Sequence, residues 1–523
     1  LVFVSLKIIK GYFMLRNLKL GTGLNSVCSG LFFTGLLGAS IFNAVYAADI
    51  EFTPVQTETF SAPLGQSNAW GDYDNDGDLD LAVVFLNAPL RLYENRGTAG
   101  FVDVGQAVNL ITNHGNARAV AWGDYDNDGD LDLYIAYADG VNPNVLMENQ
   151  ISNHSKPSQK SFIDVGVEKG VSFVGATRQL NFVDYDADGD LDLHVALRTS
   201  TNRLFQNNEG VFTNVARQTG FYEPRRTVGA CWFDMDSDGD LDAFTTNQSG
   251  DRDGMYQYED GRFSDVAMAL NIDQARRPLI DGGVGCAITD FDVDGDLDLY
   301  VAEYGDDSLF RNNGDGTFTD VAAEMGVATH DHIVTGVWGD VNNDGLPDLY
   351  IVGYVNGKPG TPDYLYINKG DHFENEIPDT VMANDTDHGV QFADYDQDGD
   401  LDLSLAANDP SGSHYLFRND SGDNANQSIQ VLVLNEDGHQ VMAGSEVRVY
   451  KAGTDELLGT RLVDTGSGYN SQNAKPVHIA TLLTETVDIK VTTMTSEGQR
   501  ETFFRGIDVG SLSNKPFQAR VAR

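Results

Sequence analysis

The nine residues DYDNDGDLD, from Asp72 to Asp80, hold five aspartates, with a glycine at the sixth place. Carboxylates that close repel one another unless a cation sits among them. The spacing specifies the cation. Side-chain oxygens at places 1, 3, 5 and 9, a backbone carbonyl at place 7, and Gly77 for the sharp turn make a shell of hard oxygens suited to calcium. An EF-hand would need a glutamate at place 12, where Val83 stands. The chain runs out of the loop as LDLAVVF, in which Leu79, Leu81 and Val83 alternate with other residues, and that is strand period. The loop therefore joins two strands.

The same pattern starts again at Asp124, Asp184, Asp234, Asp290, Asp340 and Asp394. In the first three loops the predicted metal-binding positions are Asp72, Asp74, Asp76, Asp78 and Asp80, then Asp124, Asp126, Asp128, Asp130 and Asp132, then Asp184, Asp186, Asp188, Asp190 and Asp192. The fourth and fifth loops offer Asp234, Asp236, Asp238, Asp240 and Asp242, and Asp290, Asp292, Asp294, Asp296 and Asp298. The sixth offers Asp340, Asn342, Asp344, the Leu346 carbonyl and Asp348, and the seventh Asp394, Asp396, Asp398, Asp400 and Asp402. About seven structural Ca2+ ions are expected.

Successive loops start 52, 60, 50, 56, 50 and 54 residues apart. Such a period with strand patterning predicts an all-β, seven-bladed propeller with four strands per blade. Each repeat reads as an apolar strand, the loop, a second strand, a short strand of the type RLYEN and a last strand of the type GFVDV. Phenylalanines mark the last strand after six loops, at Phe101, Phe162, Phe212, Phe263, Phe318 and Phe373, but not after the seventh. Phe52 in FTPV stands before the first loop instead. The N-terminal strand is thus predicted to complete the last blade and remove two exposed sheet edges. Trp70, Trp122, Trp232 and Trp338 share one place, two residues before a loop, where a large ring would fill the gap between blades.

Around the propeller, residues 1–47 read as a secretory signal, with a possible start at Met14, an apolar run from Val27 to Phe42 and a small-residue site ending at Ala47. The propeller is assigned to 48–420 and a polar linker to 421–427. Residues 428–523 alternate in short runs such as EVRVY and VDIKV, which predicts a small β-sandwich-like domain. No later segment is apolar enough to span a bilayer. The formal charge of −45 argues against a nucleic-acid partner. Cys231 and Cys286 stand three and four residues before their loops, so strand alternation puts them on opposite faces and predicts buried free thiols, not a disulfide.

The loops resemble the FG-GAP/VCBS repeat of integrin α-chain propellers and secreted bacterial proteins, whose form DxDxDGxxD all seven match with Asn342 for Asp in the sixth. The stretches GSEVRVY (Gly444–Tyr450) and GSGYNSQNAKPVHI (Gly466–Ile479) resemble the ASPIC/UnbV domain that follows such propellers in the cartilage acidic protein family and its bacterial-type members. The chain departs from that pattern at Ala480-Thr481-Leu482, where relatives carry a Gly-Leu-Gly turn. The resemblance implies an extracytoplasmic, calcium-binding, adhesion-type protein, periplasmic, secreted or on the cell surface, and no reaction.

The expected function is a binding module for an acidic or sulfated glycan or a cell-surface or matrix protein. The alternative is a carbohydrate-active enzyme such as a polysaccharide lyase, but no nucleophile elbow, zinc spacing or His–Cys pair is present. The links between blades emerge at the end opposite the calcium loops and hold Arg118, Arg178, Arg226, Arg277, His332 and His388, besides Arg225, Arg276, His114 and His330. Arg118, Arg178 and His388 stand six residues before their loops and so should ring one mouth of the channel. Arginine's planar fork suits carboxylate or sulfate.

Overall fold

The computed structural model describes residues 50–110, 116–151, 161–274, 277–354, 361–382, 387–408, 414–421, 427–482 and 484–522. The predicted signal, His114, Arg276 and most of the predicted linker lie outside them. Seven four-stranded antiparallel sheets follow one another along the chain as the blades of a propeller. Hydropathy sets the order of strands within a blade. The inner strands Gly65–Gly71 and Ile333–Gly339 are buried at every residue, as are the second strands Asp80–Phe85 and Asp348–Gly353. The outermost strand Phe101–Asp103 buries Phe101 alone. Phe52–Pro54 pairs antiparallel with His414–Asn419, Phe52 opposite Asn419, and so supplies the outer strand of blade seven. Asp420 N–H donates to the Glu51 carbonyl at 2.7 Å beside that seam.

The tryptophans fill the spaces between blades. The Trp122 indole N–H donates to the Ala69 carbonyl of blade one at 3.2 Å, and Trp338 to the Ala287 carbonyl of blade five at 3.4 Å. Trp70 reaches Ser404 Oγ of blade seven at 3.1 Å.

The cysteine expectation is overturned. Cys231 and Cys286 form a disulfide, with their Cα atoms 6.1 Å apart. They do lie on opposite faces of equivalent strands, but the strands belong to adjacent blades. One face of a blade packs on the opposite face of the next, so the alternation that parts two cysteines within one sheet brings them together across two.

The C-terminal part has a three-stranded sheet, with Ser428–Leu434 between Val477–Ala480 and Phe517–Arg520, and a four-stranded sheet built on Glu446–Lys451 and Thr486–Thr495. It does not stand apart from the propeller, since Ala47–Arg523 form one compact unit. Its core residues, among them Val431, Val447 and Ile489, are continuous with those of blades two and three.

A loop of this part fills the propeller's central channel. Gln472 pairs with Ala69, and Gly468 with Cys286, as isolated β-bridges. Thr465 Oγ1 donates to the Trp232 carbonyl at 3.3 Å, and Asn181 Nδ2 to the Gly466 carbonyl at 2.9 Å. Trp122 N–H donates to Gln472 Oε1 at 2.7 Å, and Gln472 Nε2 donates back to the Trp122 carbonyl at 3.1 Å. Gly468 has a φ of +83°, and a Cβ there would stand 2.8 Å from Thr335 Oγ1 of blade six, so only glycine passes.

Candidate calcium loops and the opposite channel mouth

Each loop is held by its own carboxylates. In the second, Asp124 Oδ1 accepts from Asp128 N–H and Oδ2 from Gly129 N–H, both at 3.0 Å. Asp132, at place 9, accepts from Asn149 N–H at 2.8 Å and Tyr125 N–H at 3.3 Å. The place-9 bracket recurs in every blade, at Asp80, Asp192, Asp242, Asp298, Asp348 and Asp402. It ties the loop's start to the third strand.

Oxygens of Asp124, Asp126 and Asp132 lie within 4.8 Å of one another, as do those of Asp72, Asp74 and Asp80, and of Asp184, Asp186 and Asp192. Burial, with Asp128 adding to it, pushes the Asp124 carboxyl up to about 7. Burial pushes Asp80 and Asp298 up to about 9. Oδ1 of Asp126, Asp186 and Asp292 is buried and accepts no hydrogen bond. Buried acceptors without partners are costly. A hard divalent cation would satisfy them, and the donor set of carboxylates plus a place-7 carbonyl fits Ca2+. The ion would supply positive charge between strands that otherwise repel. In loop six, Asn342 Oδ1 accepts from Asp344 N–H at 3.0 Å, beside Asp340, Asp348 and the Leu346 carbonyl.

Two devices linking the loops escape a reading of single motifs. In every blade but the fourth, which has Tyr258 at that place, an asparagine near the end of the third strand reaches the preceding blade: Asn149 Nδ2 donates to the Tyr73 carbonyl at 2.8 Å, Asn207 to Tyr125 at 2.7 Å and Asn368 to Phe291 at 2.9 Å. The recurrence of Asn in LYEN, LMEN and LFQN was the available signal. The side chain at place 4 reaches the following loop: Asn75 donates to Asp130 Oδ1 at 2.9 Å and Asn127 to Asp190 Oδ1 at 2.8 Å.

The C-terminal part covers this end. Gln430 Nε2 donates to Asp394 Oδ2 at 2.6 Å, Gln499 Nε2 to Asp234 Oδ2 at 2.8 Å and Ser428 Oγ to the Gly399 carbonyl at 2.7 Å. The half-buried Arg461 faces Asp340, Asp290 and Asp348.

At the opposite end the six predicted ligand residues part ways. Arg277 is buried in ion pairs with Asp253, at 2.7 Å, and Glu303. Arg226 pairs with Asp251 at 3.8 Å, and Arg225 with Glu223 and Asp265. These arginines fasten inter-blade links, and Arg277 is not available to a ligand. His332 packs against Tyr304 with the rings tilted, centroids 4.9 Å apart. Arg118, Arg178 and His388 do converge, but on Tyr469, the tip of the channel-filling loop. Arg118 hydrogen-bonds to the Tyr469 hydroxyl and to Gln66. His388 lies 5.9 Å from the Tyr469 ring and 3.9 Å from that of Tyr354. Burial, with Arg118 and Arg178 adding to it, keeps His388 well below the usual imidazole range. Buried polar residues on the inner strands, Gln66, Asn68, Gln179 and Asn181, were the sequence signal that a polar segment fills the channel.

The FG-GAP-like repeat family matches residues 72–135, 184–245, 290–351 and 340–405. Cartilage acidic protein 1 of Xenopus tropicalis is 23% identical over 495 residues, covering 87% of this chain and 73% of that protein. The Homo sapiens protein of that name is 23% identical over 494 residues, covering 87% and 71%. Among solved structures, the BBS1N chain in complex with ARL6DN aligns at TM-score 0.43 and 12% identity, over 71% of this chain and 95% of that one. An Agrocybe aegerita lectin that recognises non-reducing terminal N-acetylglucosamine aligns at TM-score 0.38 and 17% identity, over 60% and 81%. Likenesses that loose have no bearing on function. The chain thus carries four matched FG-GAP-like repeats on its propeller blades and is homologous over most of its length to cartilage acidic protein 1.

Proposed function

We propose that the protein is an extracytoplasmic, calcium-stabilised binding and adhesion module. Its partner is an acidic or sulfated glycan, free or borne on a cell-surface or matrix protein, held at the mouth opposite the calcium loops. The observation that carries the calcium reading is the buried, partnerless oxygen at place 3 of three loops, Asp126, Asp186 and Asp292. The Cys231–Cys286 disulfide fits an oxidising compartment. Among the described residues no helix is long and apolar enough to cross a membrane.

Calcium content and melting test this reading together. Equilibrium dialysis should find about seven ions per chain. Each site filled to a hundredfold over its dissociation constant adds about 2.7 kcal/mol, so excess chelator should lower the melting temperature by about 10 °C or more. A melting curve indifferent to chelator, with no calcium bound, overturns it.

A further inference from the structure

The channel mouth is built by two parts of the chain. The propeller contributes Arg118, Arg178 and Arg198, and the C-terminal part contributes Tyr469. Arg118 and Arg198 lie close enough to Arg178 to act on it. Burial pulls Arg178 down to about 10, and those two charges add to the effect against the opposing influence of Tyr469. Among the described residues, none of the three forms an ion pair with a carboxylate, in a chain with 79 acidic residues. Two further groups point to a missing partner. Arg118 Nε and His388 Nδ1 are buried without a hydrogen bond, and His388 is only 2% exposed. Tyr304 and Tyr354 stand half-buried beside them. The loop behind Tyr469 closes the channel, so whatever enters this mouth enters end-on and stops there.

We propose that the mouth is a blind pocket for the terminal carboxylate of an acidic saccharide. Arg178 and Arg198 take the oxyanion, Tyr304 and Tyr354 flank the sugar ring, and Tyr469 forms the floor. The proposal rests on the reading that the partner is an anionic glycan, and narrows it from a chain lying across a rim to a chain end. Three guanidiniums without a counter-charge repel one another, and an oxyanion relieves that with charge-assisted, bidentate hydrogen bonds. The apolar faces of a pyranose suit tyrosine rings.

Tyr469 makes the pocket sensitive to pH. Its phenol is faced by Arg118, Arg178 and His388 and by the phenols of Tyr304 and Tyr354. Burial alone would raise it, but the two guanidiniums more than reverse this and bring it down to about 8. Above that pH the phenolate takes the arginines' charge and competes with a ligand oxyanion.

The test is titration calorimetry of the full chain, calcium-loaded, with methyl β-glucuronide, neutral methyl β-glucoside and inorganic sulfate as probes. The glucuronide should bind and the glucoside should not. Arg198→Gln should weaken glucuronide binding about tenfold or more. Arg198 makes no side-chain hydrogen bond among the described residues, so this variant should keep its fold, as its melting curve would show. Wild-type affinity should fall as pH rises through about 8, and Tyr469→Phe should abolish that fall. A Tyr469 that merely packs would leave the two profiles alike. Equal binding of the glucoside, sulfate binding without glucuronide binding, or a folded Arg198→Gln of unchanged affinity overturns the pocket. Polygalacturonate, a polymeric uronic acid, separates the pocket from the reading it rests on. Polymer binding with no glucuronide binding removes the chain-end pocket alone, and binding of neither removes both.

Discussion

At one end of the propeller Asp124, Asp126 and Asp132 bring carboxylate oxygens within 4.8 Å of one another; at the other, Arg118, Arg178 and Arg198 gather without a carboxylate among the described residues. Both clusters hold like charges that an added ion of opposite sign would relieve. They differ in what holds them. The aspartates are woven into the backbone, and every place-9 carboxylate takes two N–H groups. The arginines hang from strand ends, and Arg178 gives one hydrogen bond, to its neighbour Thr177's carbonyl at 2.9 Å. A cation at the first end is thus coupled to folding, while an anion at the second is coupled to little but the side chains that meet it. The C-terminal part also touches the acidic end, at Asp394 and Asp234, while Asp76 and Asp238 stay exposed there and Arg118, Arg178 and Arg198 are half-buried at the other end.

The sharpest way to break this comparison is to remove one charge at each end. Asp132→Ala strands the N–H groups of Asn149 and Tyr125 in a buried place and deletes a ligand. It should cost about 4 kcal/mol in calcium, by the usual penalty for two unsatisfied donors. Arg178→Gln removes a half-buried guanidinium that has no carboxylate partner among the described residues, and it should cost less than about 0.5 kcal/mol. Denaturant unfolding in calcium measures both. Equal losses would mean that the two ends are built alike.

Loop six sharpens the comparison within the acidic end. Asn342 keeps the oxygen of an aspartate but not its charge, and Leu346 leaves only a carbonyl at place 7. The structure adds a reason absent from the motif: Arg461 faces Asp340 and Asp348, a fixed positive charge beside the site. Loop six should fill last in a calcium titration. Asp128→Ala should therefore destabilise the loaded protein by about 1.5 kcal/mol more than Asp344→Ala, which removes a weaker site. A larger loss at Asp344 would reverse the ranking.

The blades were legible because one motif fixes both the turn and the strand period around it, and because the phenylalanine missing after loop seven appears at Phe52. The site was legible only where a residue acts within its own repeat. Asp72 or Asp132 can be assigned from nine residues. Tyr469 cannot, because it lies 351 positions from Arg118 and reaches it through a channel that no local pattern describes. Arg277 looked like Arg118 for the same reason, as its partners come from elsewhere in the assembly, Asp253 from a link within blade four and Glu303 from the second strand of blade five. The cysteines failed differently. Alternation was applied within one sheet when the packing that mattered ran between two.

The smallest effect tests whether the loop's backbone, rather than its charge, limits the acidic end. Place 4 has a left-handed φ in every loop: 58° at Asn75 and Asn127, 54° at Asn343, 58° at Gln397 and 58° at Val293. Asparagine tolerates that region, and a β-branched residue there is strained. Asn343 also donates to Gly399's carbonyl at 3.2 Å and Asp400 Oδ1 at 2.7 Å in the next loop. Val293 can do neither. Val293→Asn relieves the strain and gives loop five a donor toward the Gly345 carbonyl, though Leu346 offers no carboxylate beside it. The variant should gain about 1 kcal/mol in calcium, the usual penalty of a left-handed non-glycine residue. The gain should persist in chelator, since it comes from the backbone and not from the ion. A gain confined to calcium would show instead that place 4 acts by tuning the metal site, and a loss would show that Val293 is held by packing that outweighs its strain.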